Sequence, residues 1–229
     1  MRKLISAIGI FVLATGFSVQ SRADTPVPAA YLSELDGKVI AVAGAKVRTL
    51  AQNDALFAGD TIATLGPARA LLRFVDQSKY ELGADTRFVI REYRYTAGAA
   101  DNTAATEVVK GLFRYVSGLL AKARPNAISI RTAVATIGIR GTHIVGEVTE
   151  TSARIGLLEP EEGDAPSSIS VANAFGEVVI AQPGYATEIP DAHSPPSPPR
   201  PMDLRTMTRN LRAVQTMRRV IAPRIPTLH

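Results

Sequence analysis

The sequence predicts an all-β fold, on three observations. Between residues 24 and 189, apolar runs rich in Val, Ile, Leu, Phe and Tyr recur at intervals of roughly ten residues. Turn-forming clusters separate them: Gly66-Pro67, Asp76-Gln77-Ser78, Gly83-Ala84-Asp85 and Pro183-Gly184. A helical period of 3.6 appears in that span only from Val108 to Lys122, where Gly111 and Gly118 interrupt it, so strands are expected there as well.

In chain order, Arg2 and Lys3 precede an apolar stretch from Leu4 to Val19, and Ser21-Arg22-Ala23 supplies a small-x-small cleavage site. Residues 1–23 therefore read as a secretory signal peptide, too short in its apolar part for the roughly 20 residues of a spanning helix. Residues 24–33 read as a lead-in. Runs at 38–42, 45–50, 60–64, 70–74, 79–82 and 87–95 follow. Thr96 to Thr106 is small and polar and reads as a surface loop. Further strands are expected at 127–131, 132–139, 142–148, 151–158, 169–172, 176–181 and 186–189, with an acidic loop over Glu159 to Ser168. A ladder of this kind can close as a sandwich, a barrel or a solenoid. The echo of Gly37-Lys38-Val39-Ile40 in Gly176-Glu177-Val178-Val179 suggests stacked coils, without a fixed period.

Charge and cysteine content narrow the function classes. The net charge of +5 is unevenly placed. The leader carries +3, residues 24–189 carry sixteen Lys/Arg against nineteen Asp/Glu, and residues 190–229 carry seven Arg against Asp191 and Asp203. The folded part is thus mildly acidic, and no nucleic-acid partner is expected. With no cysteine, an exported chain must rely on its core rather than on disulfides.

The chemistry-bearing residues are sparse. His143, His193 and His229 are isolated from one another, so neither a zinc site nor a catalytic base is expected. Glu159, Glu161, Glu162 and Asp164 lack the spacing of a calcium loop. No phosphate loop or serine elbow is present. Catalytic residues, cofactors and metals are accordingly expected to be none. Paired carboxylates for sugar hydrolysis, drawn from Asp60, Asp76 and Glu81, are the enzymatic alternative.

Residues 190–202 begin PDAHSPPSPPRP and read as an extended proline-rich linker. From Asp203 a helix is expected, ended by Pro223. Leu204, Met207, Leu211, Val214, Met217 and Ile221 share one face of it, and Arg205, Arg209, Arg212 and Arg219 the other, with Arg218 among the apolar positions. Those four arginines are the candidate partner or membrane-surface contacts.

Three pieces of sequence resemble the FecR-like domain family. Leu56-Phe57-Ala58-Gly59-Asp60-Thr61-Ile62-Ala63-Thr64 is similar to the family's L-x-x-G-D-x-I-x-T run. Ala68 to Leu82 is similar to its strand–D-G-S–strand hairpin, with Asp76 and Ser78 in place and Gln77 where glycine is usual. Ala133 to Val145, carrying Arg140-Gly141-Thr142, is similar to its R-G-T strand pair. The resemblance is clear over residues 37–148 and continues over 151–189. It implies a β-solenoid-like, non-enzymatic periplasmic domain over residues 24–189, binding a protein or another envelope component. In the founding type of the family the domain follows a cytoplasmic anti-sigma segment and a membrane span. Here a signal peptide stands instead, so a periplasmic or secreted binding domain is expected, without a transmembrane span after cleavage and without direct contact with a sigma factor. The alternatives are a secreted polysaccharide-active enzyme and a structural envelope or matrix protein. Thr132 to Ile139 and Thr142 to Val148 are expected to be interior strands rather than free edges.

Overall fold

The structure, a computed structural model, describes residues 26–141, 143–160, 167–203 and 205. The expected signal peptide, Thr142, Glu161, Glu162, Asp164, Arg209, Arg212 and Arg219 lie outside the described residues. Fifteen strands join in one barrel-like sheet. They are β1 (Ala30–Ala43), β2 (Lys46–Thr49), β3 (Ala55–Leu56), β4 (Thr61–Phe74), β5 (Lys79–Leu82), β6 (Arg87–Arg94) and β7 (Thr103–Val116). After a short helix α1 (Leu119–Ala123) come β8 (Ile128–Arg131), β9 (Thr136–Arg140), β10 (His143–Val148), β11 (Ala153–Leu157), β12 (Ser168–Asn173), β13 (Gly176–Ile180), β14 (Tyr185–Ile189) and β15 (Arg200–Pro201).

Three strands, β1, β4 and β7, have fourteen residues each and serve two layers at once. The first layer runs β3, the start of β1, the end of β4, β5, the end of β7, β10, β11, β14 and β15. The second runs β2, the end of β1, the start of β4, β6, the start of β7, β8, β9, β12 and β13. Alternation along each strand turns one side inward. Leu32, Leu72, Leu82 and Phe113 of the first layer meet Val39, Ile62, Phe88, Val108 and Ile130 of the second in one buried cluster.

Each long strand changes layer at a glycine with positive φ: Gly37 at +79°, Gly66 at +59° and Gly111 at +111°. Gly111 is constrained twice. Its conformation disfavours a side chain, and a Cβ there would lie 2.5 Å from the Thr86 Cα. Thr86 uses that closeness: its Oγ1 accepts the Leu112 N–H at 3.2 Å, compensating a break in the ladder.

Several expectations change. The lead-in over residues 24–33 contributes the start of β1, because Ala30 and Leu32 alternate into the core. The loop expected over 96–106 ends at Asn102, since Ala104 and Thr106 are buried and β7 begins at Thr103. The 108–122 stretch is strand to Val116, then helix from Leu119. Thr132 to Ala135 is a turn rather than strand, closed by the Thr132 hydroxyl accepting the Ala135 N–H at 3.0 Å. A solenoid stacks its coils in parallel, whereas only β7 and β8 pair in parallel among the described strands. The echo between Gly37 and Gly176 marks no repeat: one is a corner inside β1, the other the start of β13.

Replacing Gly111 with valine should lower unfolding stability by at least about 2 kcal/mol in urea titration, through steric overlap and backbone strain together. Gly141, with φ at +51° and nothing within 4 Å of a built Cβ, should lose only about 1–2 kcal/mol on substitution by alanine.

Candidate protein-interaction site

The first motif builds a corner. Asp60 is buried, and its Oδ2 accepts the Phe57 N–H at 2.8 Å while its own N–H donates to the Phe57 carbonyl at 3.1 Å. Gly59, with φ at +92°, allows the tight turn between them. Arg48, on β2, ion-pairs with the same carboxylate, donates to the Ala55 carbonyl at 2.7 Å and lies 5.7 Å from the Phe57 ring centroid. Thr64 is buried too. Its hydroxyl donates to the Gly83 carbonyl at 2.6 Å and accepts the Thr86 N–H at 2.9 Å.

The second motif ties three elements to one carboxylate. In the β4–β5 turn, Asp76 Oδ1 accepts the Ser78 hydroxyl at 2.6 Å, the Ser78 N–H at 3.1 Å and the Tyr93 hydroxyl at 2.7 Å. Its Oδ2 takes the Leu120 N–H at 3.3 Å, and its carbonyl takes the Leu119 N–H at 2.8 Å. The hairpin thereby fixes β6 and the start of α1. Gly118 packs directly on the turn, where a Cβ would meet the Asp76 Oδ2 at 2.7 Å. Gln77, at the position where glycine was expected, takes φ +71° and keeps the turn closed through its N–H to the Phe74 carbonyl at 2.9 Å.

Beside Asp76 lies an aromatic stack. Tyr80 sits 4.8 Å from Tyr115 and 4.6 Å from Phe88, and Tyr93 sits 4.9 Å from Phe74, centroid to centroid. Burial pushes the phenols of Tyr80, Tyr93 and Tyr115 well above their ordinary range, and the Asp76 charge adds to it.

The third motif is a turn between interior strands. β9 lies between β8 and β12, and β10 lies between β7 and β11. Neither offers a free edge. Gly141 takes the left-handed conformation between them. Arg140 is exposed and reaches the rim of a groove of about 470 Å³ on the outer face of the second layer.

That groove was not singled out in sequence. Cross-strand register aligns Ser129, Gly138, Ser170 and Val179 in one row over β8, β9, β12 and β13. The small residues hollow the sheet surface, and Arg140 and Glu177 stand toward opposite ends of the groove. On the far side of the row is β13, whose second edge pairs with no strand among the described residues. Val179 on it is 60% exposed, and Phe175 at the turn before it is 52% exposed. The opposite end of the layer, β2, carries Lys46 at its edge, while its Arg48 is held by Asp60 and its Val47 is 62% exposed; β13 carries only Glu177 as a charged residue. β14 is covered instead: β15 pairs with it, and Ser197, within the expected linker, accepts and donates along it. The alternating small residues at 129, 138 and 170 were visible in sequence, but their alignment depends on register.

Among the candidate carboxylates, Asp60 and Asp76 are buried and engaged, and Glu81 ion-pairs with Arg114 at 2.8 Å. No group of three metal-ligating side chains occurs among the described residues. No described helix is long and apolar enough to cross a membrane. His143 is buried on β10, and the His193 ring lies 6.0 Å from that of Phe175.

Residues 60–161 match the family model described as FecR protein. Two solved structures are similar, both described as a candidate anti-sigma factor from Parabacteroides distasonis ATCC 8503. One, at 1.65 Å resolution, has 12% identity and a TM-score of 0.50, covering 67% of this chain and 65% of that one. The other, at 2.50 Å, has 11% identity and a TM-score of 0.51, covering 67% and 64%. This chain thus spans just under two thirds of their length. No curated protein matches it.

Two outcomes test the Asp76 turn. Gln77→Gly should raise stability by about 1 kcal/mol by relieving the positive φ, whereas Asp76→Ala, leaving buried donors unpaired, should lower it by about 2–4 kcal/mol. The tyrosines give a pH test. Their folded-state phenols are raised above the unfolded value of about 10, so their contribution is intact below that pH and is lost as pH climbs beyond it. Phenolate absorbance from the three should therefore rise together with loss of near-UV dichroism; ionisation of all three in a still-folded protein would contradict this.

Proposed function

We propose that this member of the FecR-like domain family is a non-enzymatic binding domain of the bacterial envelope, exported through residues 1–23, which receives an extended segment of a protein partner along β13. The observation that carries the reading is the unpaired, weakly guarded edge of β13 beside the hollowed row of Ser129, Gly138 and Ser170. A strand added there would gain main-chain hydrogen bonds, and its alternate side chains would enter the groove. Arg140 at one end and Glu177 at the other favour a partner segment whose own charges are opposed in sense.

The family match and the anti-sigma description of the similar structures support a regulatory or signalling role over a catalytic one. The polysaccharide-cleaving alternative is weakened by the engagement of Asp60, Asp76 and Glu81 in structural contacts. A matrix or structural role would use the same edge for pairing between copies.

Capture from envelope extract with the mature chain tests this. Val179→Asp and Arg140→Glu should each weaken retention of the partner about tenfold or more, equivalent to about 1.4 kcal/mol. Both side chains are exposed, so melting should move little. Undiminished retention by both variants would remove β13 as the site. Concentration-dependent self-association lost in Val179→Asp would favour the matrix reading.

A further inference from the structure

The pairing of β13 with β12 fixes which backbone groups of β13 face its second edge. Asn173 and Gly176 are register partners across a two-residue turn at Ala174-Phe175. A pair that closes so short a turn exchanges both of its N–H to carbonyl bonds. Such pairs alternate with non-bonded ones along an antiparallel ladder. Val178 with Val171, and Ile180 with Ile169, are therefore the pairs bonded to β12. The N–H and C=O groups of Glu177 and Val179 point the other way, to the edge that pairs with no strand among the described residues.

The same two residues turn their side chains to the outer face. Glu177 and Val179 are exposed, whereas Val178 packs against the core and Ile180 is buried. A strand that bonds Glu177 and Val179 places its own residues opposite them on that outer face. The residue opposite Val179 meets an exposed apolar side chain, and the residue opposite Glu177 meets a carboxylate. The residue between these two turns inward beside Val178, at the rim of the core. From β8 through β9 and β12 to β13 each pairing is antiparallel, and antiparallel pairing is the more stable per residue.

Resting on β13 as the receiving edge, we propose that it reads an antiparallel segment of a protein partner in which two successive apolar residues precede a basic one. The first apolar residue lies against Val179, the second against Val178, and the basic residue pairs with Glu177. The bonds to the Glu177 and Val179 backbone supply attraction for any extended segment; these three side chains supply the order.

Three labelled peptides and the full chain test this: Thr-Thr-Val-Val-Lys-Thr-Thr, its reversal Thr-Thr-Lys-Val-Val-Thr-Thr, and Thr-Thr-Val-Val-Glu-Thr-Thr. By fluorescence anisotropy the first should bind tightest, with the glutamate peptide about fivefold weaker. Glu177→Lys should exchange the order of the lysine and glutamate peptides. Amide hydrogen exchange reads the backbone directly. In the dilute chain without peptide, Val178 and Ile180 should exchange slowly and Glu177 and Val179 fast; the first peptide should slow the latter two. Equal binding of all three peptides, or a preference for the reversed one, would overturn the recognition pattern and leave β13 standing as a receiving edge. Glu177 and Val179 amides already slow in the dilute chain, or no binding of any peptide at about 1 mM, would overturn both. Slowing that grows with chain concentration alone would make a second copy the occupant and also overturn the proposal.

Discussion

A strand of fourteen residues would extend about 46 Å if it ran straight, far more than one small layer can use. The chain has three, and each is bent near its middle by a glycine in a conformation that other residues resist: Gly37, Gly66 and Gly111. These corners let one hydrogen-bonded sheet face itself. The inward side chains of both arms then share one core, which a chain without cysteine depends on. At Gly111 the constraint is tightest, because Thr86 fills the space a side chain would need and takes up the amide that the bend releases.

The family motifs serve this framework. Asp60 closes the turn entering β4 and holds Arg48 of β2, so the edge of the second layer is pinned to its first corner. Asp76 closes the turn leaving β4 and collects donors from the turn itself, β6 and α1. Each carboxylate sits where several backbone or hydroxyl donors converge, which makes it costly to remove and leaves it no freedom for chemistry. The surface proposed for recognition lies elsewhere, at the second edge of β13 and the hollowed row beside it.

Both sheet faces and edges are managed by different means. Lys46 on β2 places a charge at one end of the second layer, of the kind that discourages strand addition. The segment 190–201, expected as a spacer, lies along β14 through Ser197 and β15 and occupies that edge. Proline suits it there, since an edge strand needs few donors.

Sequence by itself determined the all-β class, most strand positions and the turns, because period-two alternation and turn residues are local signals. It also marked Gly59, Asp60, Asp76 and Gly141 through short motifs at turns, but not the distant partners of the two carboxylates, Arg48 for Asp60 and Tyr93 and Leu120 for Asp76. The start of β1, the burial of Ala104 and Thr106 and the turn at Thr132 were hidden, since small residues such as alanine and threonine carry no burial signal until their neighbours are known. Tertiary structure alone decided that β7 pairs with four others, distributed about a bend at Gly111, and with one of them, β8, in parallel. It also decided that Ser129, Gly138, Ser170 and Val179 form one row. Such alignments depend on cross-strand register, which is fixed by the packing of both layers together and not by any stretch of the chain on its own.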